Sequence, residues 1–351
     1  MSVRVRFAPS PTGSLHLGNA LTAVANRRFA DERGGVLVLR IDDTDASRSV
    51  SGGERAILAD LDWLGVAFDE GPVRQSGRGE LYAAAASRAL AGEAVRDDDG
   101  SVRLAGTTLV RPDGTATYQL ASVADDLALG ITHVIRGSDH RPNVELQQRL
   151  ARALGGELPQ VLHHGLLLGP DGKKLSKRHG HSSLADLRDE GYPAEAVRAY
   201  LEQLDLPAHD VNLDLGRLGR LSIDAIAAMP DEELAARAGA PVELARALRG
   251  ARTLVEARTI AAQLQAPATV ALPEQARPTL ERFAELVERG GALDEDGARA
   301  VLRELKAVGG DLKSLRLALT GSARGPELWT VLTALPAEEL LRRAAAATPA
   351  G

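Results

Sequence analysis

Two stretches of the sequence gather groups suited to handling an anion. The first, Ser10-Pro11-Thr12-Gly13-Ser14-Leu15-His16-Leu17-Gly18-Asn19, follows apolar residues that alternate from Val3 to Phe7 and read as a short buried strand. The two prolines and Gly13 stop the ladder and force a turn. A helical pattern then runs from Leu21 to Ala30, with Asn19 or a neighbour as its start. Strand, turn and helix N-terminus leave unpaired backbone N–H groups and the positive end of a helix dipole at one spot. His16 and Ser10 add side-chain donors there. Taken alone, an ordinary βα turn with a surface histidine explains this stretch as well. The second stretch, Gly172-Lys173-Lys174-Leu175-Ser176-Lys177-Arg178-His179-Gly180, sets two lysines between glycines. It suits phosphate, and its plainer reading is surface charge.

The elements that must position these groups follow in order. Gly35 to Ile41 is a continuous apolar run, as in a strand buried on both faces, and it ends in Asp42-Asp43-Thr44-Asp45. Carboxylates at the C-terminal end of a parallel strand lie where open α/β sheets bind ligands, although Asp43, Thr44 and Asp45 are also helix-capping types. Gly53 to Leu64 and Tyr82 to Leu90 read as helices. Ile131 to Ile135 reads as a buried strand ending in Arg136, a charge costly to bury unless a carboxylate meets it. Asn143 to Leu154 is a helix closed by Gly155-Gly156. The pair His163 and His164, and the pair His179 and His181, lack a convincing metal-ligand spacing. Beyond Gly180 helix formers dominate: Ala185 to Glu190, Pro193 to Leu204, Asp231 to Arg249, Thr253 to Gln265, Pro278 to Arg289 and Asp296 to Val308.

Composition narrows the classes. A chain of 351 residues holds two or three domains. There is no cysteine, which excludes disulfides and thiolate zinc sites. No apolar run approaches a membrane span, and the N-terminus enters a strand at once, so a cytoplasmic location is expected. With 42 Lys+Arg against 48 Asp+Glu, any nucleic-acid contact must come from local basic surfaces.

Taken together, the two anion-handling stretches resemble the paired nucleotide-binding signatures of class I aminoacyl-tRNA synthetases. His16-Leu17-Gly18-Asn19 stands where that family has HIGH, and Lys174-Leu175-Ser176-Lys177-Arg178 where it has KMSKS. More narrowly, the chain resembles the glutamyl-tRNA synthetases. The motifs that carry this are Arg6-Phe7-Ala8-Pro9-Ser10-Pro11-Thr12-Gly13, Leu39-Arg40-Ile41-Asp42-Asp43-Thr44-Asp45 and Ile131-Thr132-His133-Val134-Ile135-Arg136-Gly137. The family pattern also resumes at Thr117-Tyr118-Gln119-Leu120-Ala121-Ser122-Val123-Ala124-Asp125-Asp126, with Ser122 in place of a frequent pocket Asn and Asp42 in place of the usual Glu.

The resemblance implies an α/β fold: a class I Rossmann-like catalytic domain over residues 1–180, then an all-helical region. Residues 181–235 would form a stem-contact-like linker domain and 236–351 an anticodon-binding-like domain. The family's acceptor-gripping insertion is cut to residues 91–116, which hold Arg96-Asp97-Asp98-Asp99-Gly100 as an exposed turn and, at most, a hairpin of 102–104 with 107–110. It implies His16, Lys174 and Lys177 as catalytic residues. Ser10, Gly18, Asn19, Asp139, His140, Ser176 and Arg178 would bind ATP. Arg6, Ala8, Ser10, Asp42, Tyr118, Ser122 and Arg136 would bind glutamate. In such a fold Arg6 and Arg136 converge, and two guanidiniums suit a substrate with two carboxylates; an internal salt bridge from Arg136 to Asp42 or Asp139 is the alternative.

The implied reaction is ATP- and Mg²⁺-dependent formation of glutamyl-adenylate and transfer to tRNA, by a monomer with no protein-bound metal and no zinc. Two other readings stand beside it: a paralogue that passes activated glutamate to a modified tRNA base, small molecule or carrier protein, and a non-catalytic tRNA-binding module. Arg246, Arg249, Arg252 and Arg258, with Arg316 and Arg324, are either a tRNA contact or a solvated helix face.

Overall fold

The structure, a computed structural model, describes residues 2–45, 49–169, 171–173, 175, 183–268 and 270–347. It divides into two units, residues 1–188 with 197–215 and residues 189–196 with 216–351.

In the first unit strand β1 (Arg4–Phe7) leads through the proline turn into helix α1 (Leu17–Glu32). The chain returns as β2 (Val36–Ile41), parallel to β1, with Val5 opposite Leu37 and Phe7 opposite Leu39. Val5, Leu37, Val38, Leu39 and Ile41 are all buried, as a doubly covered strand requires. Helix α1 starts at Leu17, four residues before the expected Leu21. The reason is packing: Leu17 is already core and joins Leu21 and Val24 in one buried stripe at helical spacing. Helix α2 (Gly53–Trp63) and strand β3 (Glu70–Arg74) extend the parallel sheet in the order β1-β2-β3. Gly53 has to be glycine, since a Cβ there would sit 2.3 Å from the carbonyl oxygen of Pro11.

Helix α3 (Gly79–Ala91) precedes the reduced insertion, which is more than the expected hairpin. Strands β4 (Val95–Arg96), β5 (Val102–Leu104) and β6 (Thr107–Val110) form a three-stranded antiparallel sheet. Ala105 and Gly106 turn the β5–β6 hairpin with φ of 50° and 78°, the backbone that a two-residue primed turn needs. Val102, Leu104 and Leu109 are buried in one cluster with Ala89, Leu120 and Leu150. The insertion is therefore rooted in the core.

Helix α4 (Tyr118–Ala128), strand β7 (His133–Gly137), a 3₁₀ turn (Ser138–Asn143), helix α5 (Val144–Ala153) and strand β8 (Gln160–His164) come next, with β7 and β8 parallel. Thr132 ties β7 to β1: its N–H donates to the Arg4 carbonyl at 2.9 Å, and its hydroxyl accepts from the Arg4 N–H at 2.8 Å. Strand β1 thus has β2 on one side and β7 on the other. Such a switch point is where open α/β sheets take ligands, beyond the carboxyl ends of the strands. The short β9 (Leu167–Leu168), helices α6 (Leu184–Asp189) and α7 (Ala194–Leu204), and β10 (Val211–Asn212), which pairs with β9, complete this part of the chain.

The second unit is helical: α8 (Leu215–Ala228), which the sequence pattern did not predict, α9 (Asp231–Ala238), α10 (Ala245–Leu248), α11 (Leu254–Gln265), α12 (Arg277–Gly290), α13 (Glu295–Ala307), α14 (Leu312–Thr320), α15 (Leu328–Ala334) and α16 (Ala337–Ala347). Their core gathers Leu234, Leu248, Phe283, Leu305, Leu315 and Val331. The single helix expected from Asp231 to Arg249 is broken. Gly239 takes φ 65° and ends α9 as a left-handed cap, Ala240 N–H closes onto the Ala235 carbonyl at 2.9 Å, and Pro241 follows. Thr253, Asp294 and Asp311 cap α11, α13 and α14, each accepting from first-turn N–H groups. No described helix is long and apolar enough to cross a membrane.

Candidate functional site

At the carboxyl ends of β1 and β2 a cleft of about 80 Å³ is lined by Ser10, Pro11, Asp42, Thr44, Asp45, Ser49, Arg111 and Tyr118. Three expected substrate residues, Ser10, Asp42 and Tyr118, meet there. Tyr118 opens α4, and its hydroxyl lies 3.4 Å from His140 Nδ1.

Beneath the cleft is a buried charge cluster. Arg40, 1% exposed, holds Asp42 with two bonds of 2.6 and 3.0 Å and reaches Asp126 at 2.8 Å. Asp126 also accepts from Arg6 Nε at 3.1 Å. Asp125 accepts from Gln75 at 2.7 Å, Arg78 at 2.7 Å and the Tyr82 hydroxyl at 2.9 Å. Burial lifts the Asp42 carboxyl above the usual aspartate value, while Arg40 and Arg6 pull it back down. Asp43 holds the loop, accepting from the Ser76 N–H and hydroxyl at 2.7 Å each, and does not cap a helix.

Arg136 is held differently. It is 7% exposed, donates to Gln147 Oε1 at 2.8 Å and meets His163 Nε2 at 3.4 Å. Neither partner is a carboxylate, so the internal salt bridge to Asp42 or Asp139 does not form. Burial lowers its guanidinium below the ordinary arginine value; Tyr118 and Asp126 oppose this, and the positive charge of Arg6 adds to it. The two arginines thus lie close enough to repel. Arg6 has spent its Nε on Asp126, so it comes to a ligand with one carboxylate already beside it.

His16 is the N-cap residue of α1 but makes no side-chain cap, and its Nδ1 is buried without a hydrogen-bond partner. The first intrahelical bond runs from Ala20 N–H to the His16 carbonyl, so the N–H groups of Leu17, Gly18 and Asn19 precede the ladder. A Cβ on Gly18 would meet nothing within 4 Å, so the protein's own packing does not call for glycine there. A buried imidazole nitrogen without a partner, next to backbone N–H groups that precede the helical ladder, fits a nucleotide phosphate.

Of the remaining expected residues, Ala8 is half-buried at the end of β1 and Asn19 is exposed. Asp139 is exposed, and His140 half-buried, in the 3₁₀ turn after β7. Ser122 is 2% exposed, its hydroxyl turned to the Gln119 carbonyl at 3.5 Å, and it does not line the cleft. Lys174, Ser176, Lys177 and Arg178, with His179 and His181, lie outside the described residues.

His164 is lowered by burial, against the pull of its bond to the Gly165 carbonyl. His163 is lowered by burial and then by Arg136 and Arg141. Among the described residues no cluster of three or more His, Asp or Glu could hold a metal ion. A larger cavity, about 530 Å³, lies between the start of α5 and β8, lined by Arg141, Gln148, Gln160 and His163 among others. It contains none of the expected site residues, whereas the smaller cleft holds Ser10, Asp42 and Tyr118.

Arg40, Asp125 and Asp126 stand inside the motifs that carry the resemblance, but sequence reasoning gave them no role, and it missed Arg111 on the cleft wall. A charge inside an apolar run, at Arg40, and an acidic doublet on an apolar helix, at Asp125-Asp126, were the available signals. Arg111 offered none.

Comparison with known proteins fits this geometry. The family described as tRNA synthetases class I (E and Q), catalytic domain, matches residues 2–104 and 100–213. A protein of Rubrobacter xylanophilus named glutamate–tRNA ligase 1 is 48% identical over 230 residues, 58% of this chain and 53% of that one, so this chain spans about half of that relative's length. Glutamate–tRNA ligase 1 of Maricaulis maris is 34% identical, covering 97% of this chain and 99% of its own, over 448 aligned positions against 351 residues here. The crystal structure of a glutamate tRNA ligase from Elizabethkingia meningosepticum superposes with a TM-score of 0.79 at 22% identity, covering 99% of both chains, a likeness of fold. The chain belongs to the class I tRNA synthetases of the E and Q type.

Proposed function

We propose that this enzyme is a glutamate–tRNA ligase. One oxygen of the glutamate α-carboxylate attacks the α-phosphorus of ATP, the bond to the β-phosphate breaks, and pyrophosphate leaves with its Mg²⁺. The acyl group then passes to a terminal hydroxyl of tRNA and AMP departs. The protein does little covalent work in such a step; it positions the reactants and meets developing charge with fixed donors. His16 and the N–H groups at the start of α1 would hold the phosphates, with Lys174 and Lys177 closing on the pyrophosphate. Arg136 and the free side of the Arg6 guanidinium would take the substrate carboxylates, and Asp42, shared with Arg40, would face its ammonium. Residues 181–235 and 236–351 are assigned to the tRNA stem and anticodon. A monomer in the cytoplasm is the setting.

The observation that carries this reading is Arg136, buried beside another cation and, among the described residues, hydrogen-bonded to an amide and an imidazole with no carboxylate in direct contact; Asp126 acts on it only from a distance and is already held by Arg6 and Arg40. Glutamine would leave that guanidinium unpaired, at a cost on the order of 3–5 kcal/mol by analogy with broken buried pairs. Pyrophosphate exchange with glutamate or glutamine, with and without total tRNA, tests it. Glutamate-dependent exchange and charging are expected; equal use of glutamine, or no exchange under either condition, would sink the reading.

A further inference from the structure

Asp60 sits inside α2 with 0% exposure and takes no part in the cleft or in the charge cluster beneath it. Its Oδ2 accepts two bonds from the turn that precedes His16: from the Ser14 hydroxyl at 2.7 Å and from the Leu15 N–H at 2.8 Å. Its Oδ1 is buried without a hydrogen bond and has the Arg188 guanidinium at 3.6 Å. Because the Ser14 proton is committed to Asp60, the lone pairs of that hydroxyl are left to accept, and they take the Ala185 N–H at 3.1 Å. Beside this relay the Leu184 N–H donates to the Leu15 carbonyl at 2.9 Å, and His16 and Ser183 form an isolated antiparallel bridge. Ser183 and Asp186 in turn cap α6 reciprocally, with bonds of 3.1 and 3.2 Å.

The chemical sense lies in what these segments carry. Residues 14–16 end in the histidine that faces the phosphates. Residues 183–185 follow, six to eight positions on in the sequence, the second lysine of the other signature. A single buried carboxylate, acting through one serine hydroxyl, joins the backbone bonds between Leu15 and Leu184 and at His16 and Ser183 in holding the two together.

We propose that Asp60 and Ser14 are positioning residues for adenylate formation: a buried latch that registers the His16 turn against the segment following the lysine signature. Resting on the glutamate–ATP reading above, the latch acts on phosphate alignment and not on amino-acid binding. Losing it therefore lowers kcat while leaving the glutamate KM in place.

The test is a graded series of Ser14→Ala, Ser14→Thr, Asp60→Asn and Asp60→Ala in the full chain, read by pyrophosphate exchange and by amide hydrogen exchange of the ATP-free protein. Ser14→Ala is expected to cut kcat by about tenfold or more at unchanged glutamate KM. It should also accelerate exchange at Leu15 and Ala185. Ser14→Thr keeps the hydroxyl and should restore both readouts. Asp60→Asn retains an acceptor oxygen and should fall between, with Asp60→Ala lowest. Ser14 is only half-buried, so it decides the matter even where an Asp60 variant fails to fold. A Ser14→Ala protein with kcat within twofold of the unmodified enzyme, or one whose loss Ser14→Thr does not rescue, overturns the latch. If the unmodified protein shows no exchange at all, the functional reading fails, and unchanged amide protection in Ser14→Ala would still refute the latch on its own.

Discussion

Arg40 and Arg136 are the penultimate residues of two parallel strands, β2 and β7, in the same unit, and both are buried. They are held in opposite ways. Arg40 is surrounded by Asp42, Asp126 and, at 3.7 Å, Asp125. Burial works against its charge, but those carboxylates win and hold it well above the ordinary arginine value. Arg136 has an amide and an imidazole, and burial wins over its neighbours. A buried charge that the protein itself satisfies belongs to the fold; one held without a carboxylate in contact is, under the function proposed above, the place for a substrate carboxylate. The same contrast separates two carboxylates. Asp125, fully buried and triply bonded, is structural, whereas Asp42 shares itself between Arg40 and the cleft wall.

Substitution at the two arginines breaks this comparison most directly. Arg40→Leu takes from Asp42 the guanidinium that bonds it twice, leaves Asp126 to Arg6 and Asp125 to Arg78 alone, and should destabilise the first unit by about 3–5 kcal/mol, read as a lowered denaturant midpoint. A midpoint shift worth less than about 1 kcal/mol would mean that the cluster does not hold β2 to α4. Arg136→Gln should do the reverse. Its melting point should stay level or rise, since an uncompensated buried charge is removed, while kcat/KM for glutamate falls by about 10²–10³. Equal loss of stability in both variants would erase the distinction between them.

Much of this arrangement was legible before any coordinates. Alternation from Val3 to Phe7 and the unbroken run to Ile41 place β1 and β2, because strand burial is written in local pattern. His16 stands out as a polar side chain in the turn that opens α1, and Arg136 as a charge near the end of a buried strand. The partner of Arg40 was not legible, since Asp126 lies 86 residues away and only the packing of α4 brings it near. The two-residue β4 is too short to show a period of two, so the insertion read as a hairpin at most. Gly239 and Pro241 did announce the break between α9 and α10, but a helix-forming composition on both sides masked it. Lys174 and Lys177 of the lysine signature lie outside the described residues, so their role rests on the resemblance and on the proposal above.

The smallest expected effect concerns the arginines of the helical unit, which the sequence left open between a tRNA contact and a solvated face. Arg246 is paired with Glu295, and its guanidinium stands 5.0 Å from the Trp329 ring, with Arg299 over the same ring at 4.2 Å. Arg249 bonds Asp231 at 2.5 Å, and Arg258 reaches the Arg237 carbonyl at 3.2 Å. Unlike Arg136, Arg246 is 47% exposed and already has its carboxylate, so water and Glu295 share the work of solvating it. Arg246→Gln should therefore cost no more than about 1 kcal/mol of stability, the upper range for an exposed pair with a cation–π contact. It should also leave the salt dependence of tRNA binding unchanged. A guanidinium that gives up Glu295 for a tRNA phosphate would behave otherwise: its loss would weaken binding to all tRNA and lower the slope of log K against log salt by about one. Measuring that slope for Arg246→Gln beside the unmodified protein decides which kind of arginine it is, because a self-satisfied charge releases no counterions from the nucleic acid.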